Sequence, residues 1–155
     1  MGTINGSVSQ RSDSYSFYIN WSESNVSNTG NTSVVSATAY VYCSKHNAWA
    51  SGLSQSLTID GTTFTDTKTV SLSSGVTVAL VSGSKTITHN NDGSKSITIS
   101  ASCDLPDGNG WGPAWGSASG TATLTNIPRQ ANVTGATNFN DEGNPTITYS
   151  NPRRI

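Results

Sequence analysis

Charged residues are scarce in this chain, and long apolar runs are absent. Only 11% of the 155 residues are charged, and the formal net charge is −1. The basic residues form no cluster beyond Arg153-Arg154, which argues against nucleic acid or an anionic membrane surface as a partner. No run of about 18 apolar residues occurs, so we expect no membrane-spanning helix.

Helical patterning is missing as well. No window keeps apolar residues at positions i, i+3, i+4 and i+7 over several turns. Ser, Thr and Asn instead contribute 62 residues (26, 21 and 15). Short alternating segments are separated by turn dipeptides such as Asp60-Gly61, Ser74-Gly75 and Ser82-Gly83. This composition and turn spacing predict an all-β fold, an antiparallel β-sandwich of the immunoglobulin-like or jelly-roll kind.

The clearest strand pattern lies in residues 85–103. Ile97 and Ile99 alternate with hydroxyl residues, which is typical of a strand with one buried face. The dipeptide Asp92-Gly93 tolerates the positive φ angles of a tight turn. We therefore predict that residues 85–103 form a β-hairpin whose register is set by this turn.

Four segments that occur in order along the chain resemble a known protein family. They are SVVSATAYVYCS (33–44), SLTIDGTTFT (56–65), ITHNNDGSKSITISASC (87–103) and GTATLTNIPRQANVT (120–134). Together they resemble a family of tail-associated structural proteins from siphophages that infect Gram-positive bacteria. The resemblance implies synthesis in the bacterial cytoplasm, a place in the virion tail, contacts with other tail proteins and assembly as a homo-oligomer.

The predicted sandwich domain spans residues 1–128. Pro128 closes its last strand because proline cannot donate a backbone hydrogen bond to a neighbouring strand. The pattern changes from Arg129 onward, and in the resembled family the segment that follows is similar to the opening of a further β module. We therefore expect residues 129–155 to be a linker and the opening strand of a following, incomplete β module.

Catalytic and metal-binding patterns are poorly represented. The chain has two glutamates, Glu23 and Glu142, and no G-x-S-x-G motif for a nucleophilic serine. Glycoside hydrolysis needs two carboxyl groups about 5 to 9.5 Å apart, which the sequence gives little reason to expect. Its aspartates form no calcium-loop pattern and are typical of turn caps. We predict a protein that is not an enzyme, with no catalytic residues, no metal site and no cofactor.

The loop at residues 104–116 contains the strongest candidate site. Trp111 and Trp115 lie there among glycines and prolines, between two predicted strands. Three interpretations remain open: the rings fold back as a lid on the sandwich, contact another protein, or stack on a sugar. For the last, we predict a saccharide platform of Trp111 and Trp115, with Asp107 and Asn109 hydrogen-bonding to sugar hydroxyls.

A second candidate surface contains Trp49 and His46 together with Tyr40 and Tyr42. Alternation in residues 33–44 places both tyrosines on the face opposite the predicted core. An exposed aromatic pair of this kind favours an interface.

The two cysteines, Cys43 and Cys103, each end the apolar face of a predicted strand. An inter-sheet disulfide of the immunoglobulin kind is one interpretation. Two buried free thiols are the other, and are expected of a protein assembled in a reducing cytoplasm.

The functional hypothesis follows from the resemblance together with the aromatic loop. It is a non-enzymatic module of the phage tail or tail tip that attaches to saccharide of the host cell wall. The alternative is a purely structural module for tail assembly, or a fibre spacer, that binds no ligand. In that case the same aromatic residues would be covered by protein contacts.

Overall fold

The computed structural model describes residues 1–107, 114–129, 133–136 and 147–149, the last two ranges by their backbone alone. In these ranges the chain forms β-strands and no helix. The strands are β1 (Gly2–Asn5), β2 (Ser7–Val8), β3 (Tyr15–Ser27), β4 (Thr32–Cys43), β5 (Ala48–Ile59), β6 (Thr62–Leu72), β7 (Val76–Thr88), β8 (Ser96–Leu105), β9 (Ala114–Thr123), β10 (Val133–Ala136) and β11 (Ile147–Tyr149).

Nine of these strands form two antiparallel sheets that pack together as a sandwich. The four-stranded sheet has the order β1-β3-β4-β7, and the five-stranded sheet has the order β2-β9-β8-β5-β6. The predicted all-β antiparallel sandwich is confirmed. β10 and β11 pair with each other as a separate two-stranded sheet, and the predicted domain boundary at residue 128 stays a prediction.

The core lies between the two sheets, where β4 and β8 alternate apolar side chains with hydroxyl or other polar ones over most of their length. Val35 and Val41 of β4 and Ile97 and Ile99 of β8 are almost completely buried. Successive side chains of a strand point to opposite faces, so one residue in two reaches the interior. The intervening Ser and Thr residues cover both outer faces of the sandwich with hydroxyl groups.

The predicted hairpin at residues 85–103 is wrong. β7 pairs with β4, and β8 pairs with β5 and β9, so the connection crosses from one sheet to the other. The tight turn itself is present: the Gly93 N–H donates to the Asn90 carbonyl at 2.9 Å, with Gly93 at φ 89°. The turn residues determine only the local backbone conformation. β7 and β8 lie in opposite sheets because their apolar faces are both buried in the core between the two sheets.

Two other turn dipeptides have contrasting outcomes. Asp60-Gly61 joins β5 to β6 with φ angles of 44° and 80°, as a two-residue hairpin turn requires. Ser82-Gly83, expected to separate strands, instead lies inside β7. A Cβ at Gly83 would overlap the ring of Phe64, so this glycine serves close packing and not a turn.

The two cysteines are free thiols buried in the core, one in each sheet. The disulfide interpretation therefore does not hold in this structure. Burial raises the pKa of the Cys103 thiol to about 11, which keeps it protonated and unreactive at neutral pH.

A buried polar cluster closes one end of the sandwich. The Glu23 Oε2 accepts a hydrogen bond from the Thr125 N–H at 2.8 Å, and its Oε1 lies 3.7 Å from the His89 Nε2. The His89 Nδ1–H donates to the Gly93 carbonyl at 2.9 Å, while Ser33 Oγ lies 2.9 Å from Nε2. These contacts hold the segment after β9 against the turn between β7 and β8.

Candidate functional site at the Trp115 end of the sandwich

Trp115 is the second residue of β9 and projects from the outer face of the five-stranded sheet. Its neighbours Ala114 and Gly116 are buried, whereas Trp115 is 52% exposed. Gly116 is required here because a Cβ would approach the Phe17 ring to 2.5 Å. Alternation along β9 therefore directs the indole into solvent.

The backbone of Trp115 is fixed on both edges of its strand, by the N-terminal segment on one edge and by β8 on the other. The Trp115 N–H donates to the Ser9 Oγ at 2.9 Å, and the Ser9 N–H donates to the Trp115 carbonyl at 2.8 Å. On its other edge β9 pairs with β8, where Asp104 lies directly opposite Trp115. The indole is thus carried by a hydrogen-bonded strand, so little backbone entropy is lost when it meets a ligand.

The base of the candidate loop is also held in place. The Tyr15 hydroxyl donates to the Pro106 carbonyl at 2.7 Å, and the Arg11 Nε–H donates to the carbonyl of Asp107. Burial raises the pKa of Tyr15, so the phenol stays neutral and remains a donor. Asp107 is half-buried at this base. The predicted platform residues Trp111 and Asn109 lie outside the described residues.

On the outer face of β8 and β9, the cross-strand partner of Trp115 is the carboxylate residue Asp104. Next to the Trp115–Asp104 pair, the outward positions of β8 and β9 carry cross-strand pairs of hydroxyl residues. These pairs are Ser102 with Ser117, Ser100 with Ser119, Thr98 with Thr121 and Ser96 with Thr123. An exposed indole beside a row of hydroxyls and one acceptor can stack on an apolar ring face and hydrogen-bond to its polar edge.

The second candidate surface is divided between the two sheets. Trp49 is 70% exposed on β5 of the five-stranded sheet, and His46 is exposed in the connection just before it. Tyr40 and Tyr42 instead lie on β4 of the four-stranded sheet, where Tyr42 is 37% exposed.

Sequence reasoning missed the partner of Tyr40. The Tyr18 ring of β3 stacks on the Tyr40 ring with centroids 5.5 Å apart and planes 20° apart. These two residues are cross-strand partners. Alternation alone places both tyrosines on outer faces, but their pairing follows only from the register between β3 and β4.

Two further observations concern residues 1–107 and 114–129. No group of three His, Cys, Asp or Glu side chains in this part of the chain can hold a metal ion. Within the same ranges, no helix is long and apolar enough to cross a membrane.

Comparison with known proteins gives one family. The family model described as "Siphovirus protein of unknown function (DUF859)" matches residues 7–149. No curated protein and no solved structure matches the chain.

Proposed function

Because the chain belongs to this family of siphovirus proteins, we propose that it is a non-enzymatic module of the virion tail that attaches to saccharide of the host cell wall. Family membership supports a phage virion protein. The tail location and the Gram-positive host follow from the sequence resemblance, and contacts with other tail proteins and homo-oligomerisation belong to the same proposal. The observation that carries attachment is the half-exposed Trp115 on a fixed strand.

The chemistry around Trp115 favours a sugar over other ligands. Covering a tryptophan buries about 150 to 250 Å², so an indole left half in water forgoes part of a contribution of roughly 4 to 6 kcal/mol. The C–H face of a pyranose covers such a ring. The hydroxyls of Ser102 and Ser117 and the carboxylate of Asp104 lie on the same outer face, where they can orient the sugar hydroxyls.

A structural spacer is the second candidate function, favoured by a separate observation. β10 and β11 form a two-stranded sheet, and within the described residues neither pairs with a strand of the sandwich. A two-stranded sheet is marginally stable alone, which suits the opening of a following module. In a fibre of such modules, Trp115 would be covered by a neighbouring protein.

The test is sedimentation of the purified protein with cell walls from a panel of Gram-positive species. We expect wild type to bind the walls of at least one species and Trp115→Ala to bind about ten-fold more weakly, a loss of about 1.4 kcal/mol. Trp49→Ala removes an equally large exposed side chain and should leave binding unchanged. Both variants should keep thermal midpoints within a few degrees of wild type, since neither side chain is buried.

Two results would overturn attachment through Trp115. One is that wild type binds no cell wall in the panel, and the other is that Trp115→Ala binds as tightly as wild type. If wild type binds no cell wall in the panel and Trp115→Ala abolishes its association with tail proteins, the spacer function is correct.

A further inference from the structure

A groove of about 540 Å³ lies on the outer face of the four-stranded sheet, remote in sequence from the Trp115 loop. It crosses β1, β3 and β4. Its walls include Thr3 of β1, Asn20 of β3, and Ser36, Thr38 and Tyr40 of β4. By strand alternation, these side chains point away from the core.

The floor of the groove is backbone. Gly2, Trp21 and Ala37 also line it, but they occupy the inward positions between the wall residues. A Cβ on Gly2 would come within 2.6 Å of the Trp21 Nε1, which shows that the indole lies on the inner side of β1, where it packs against the core. The groove is therefore shallow, with a peptide floor and polar walls.

The stacked Tyr18 and Tyr40 rings form a ridge beside this groove. Tyr40 lines the first groove, and Tyr18 lines a second one of about 430 Å³ together with Asn5 and Ser16. Both grooves follow β3, from Ser16 to Ser22. Six residue steps at about 3.3 Å per residue give this surface a length of roughly 20 Å.

The side chains that line both grooves are uncharged, and the α-amino group of Met1 is a cation at one end of the first groove. Neither groove is lined by an Asp, Glu, Lys, Arg or His side chain. Thr3 Oγ1 donates to Asn20 Oδ1 at 2.8 Å, while the Asn20 amide nitrogen donates to no acceptor within the described residues. The Ser36 and Thr38 hydroxyls bond to Ser84 and Ser82, and their oxygens can still accept a further hydrogen bond. With the Asn20 amide hydrogens and the tyrosine faces, they suit a neutral polyhydroxylated ligand.

We propose that this face binds an extended neutral glycan strand that lies across the Tyr18–Tyr40 ridge, with sugar units in both grooves. The proposal rests on the attachment function and adds a second saccharide surface on the opposite sheet. A protein partner fits this surface less well, because protein interfaces centre on large apolar residues, whereas nine of the 19 residues that line these grooves are serine, threonine or asparagine.

The test uses an array of neutral oligosaccharides of increasing length, followed by titration calorimetry of the sugar that binds best. Tyr40→Ala should weaken binding about ten-fold or more, because it removes both the stacking face and its support for Tyr18. Asn20→Ala should weaken binding while leaving both rings in place. Tyr42→Ala is the matched control: it lies two residues along the same strand face and lines neither groove.

Further readouts separate this site from its alternatives. Amide chemical shifts should change in residues 16–22 and 36–40, and affinity should be the same in low and high salt because no charge pair forms. The Trp115→Ala variant should keep this binding, so failure of the Trp115 platform and failure of the groove are distinguishable. Absence of binding by every oligosaccharide, or shifts confined to other residues, would overturn the proposal. Loss of oligomerisation in Tyr40→Ala would assign the face to a protein partner instead.

Discussion

Replacing Gly93 by alanine should destabilise the sandwich more than an alanine at any other turn glycine with a similar backbone. Gly93 has φ 89°, which costs an L-residue about 1 to 2 kcal/mol. Its Cβ would also lie 3.0 Å from the carbonyl carbon of Ile127, 3.2 Å from its nitrogen and closer still to its oxygen. Relieving such an overlap costs about 1 to 3 kcal/mol, so the total is roughly 2 to 5 kcal/mol.

The matched controls are Gly61→Ala and Gly75→Ala. These glycines have φ of 80° and 81°, but a Cβ on either meets nothing within 4 Å. Each variant should therefore lose only about 1 to 2 kcal/mol of unfolding free energy, the cost of placing an L-residue at a positive φ. Urea unfolding followed by tryptophan fluorescence measures all three. If Gly93→Ala loses no more than the controls, then residues 124–129 are not packed on the turn between β7 and β8.

Three further predictions concern ionisation, thiol reactivity and the loop base. Burial acts to raise the pKa of Glu23, but the hydrogen bonds from Thr125 and Ser33 and the neighbouring His89 together outweigh it and hold that pKa below its ordinary value of 4.5. The carboxylate therefore contributes stability above pH 4.5 that is lost as pH falls through the lowered pKa. Urea unfolding measures how much unfolding free energy Glu23→Gln loses relative to wild type. This loss should shrink below pH 4.5, and a loss that does not change with pH would contradict the prediction. Iodoacetamide at about pH 8 should alkylate Cys103 far more slowly in the native protein than in urea, because burial raises its pKa to about 11; equal rates would refute its burial. Tyr15→Phe should lower the free energy of unfolding by about 1 to 2 kcal/mol, because the buried Pro106 carbonyl loses its hydrogen-bond donor. The control Tyr42→Phe should change it by less than about 0.5 kcal/mol. Equal losses would show that the Tyr15 hydroxyl does not hold the loop.

The inner faces of the strands could be predicted from the sequence because alternation reports burial directly. The alternation predicts Ile97 and Ile99 inside, and both are buried. Period-two patterning carries this information residue by residue, without any knowledge of which strands are neighbours.

Strand partners could not be predicted in the same way. The turn at Asp92-Gly93 is present, yet the strands on either side belong to different sheets. A tight turn is compatible both with a hairpin and with a crossing between sheets, and the choice depends on contacts such as Gly93 with Ile127 that lie far apart in the sequence.

One candidate site could be predicted from the sequence of a single strand, and the other could not. The exposure of Trp115 follows from alternation within one strand. The Tyr18–Tyr40 ridge instead requires the register between β3 and β4, and the grooves beside it require the path of β1 along the sheet edge. A surface assembled from three strands leaves no contiguous motif in the sequence.

Immunogold electron microscopy of intact virions tests the central claim most directly. Particles of the siphovirus that encodes the chain would be labelled with an antibody raised against the purified sandwich. We expect gold at the tail, with labelling reduced when virions are first bound to host cell walls. Gold on the capsid, or particles that carry no label, would contradict a tail module that attaches to the host.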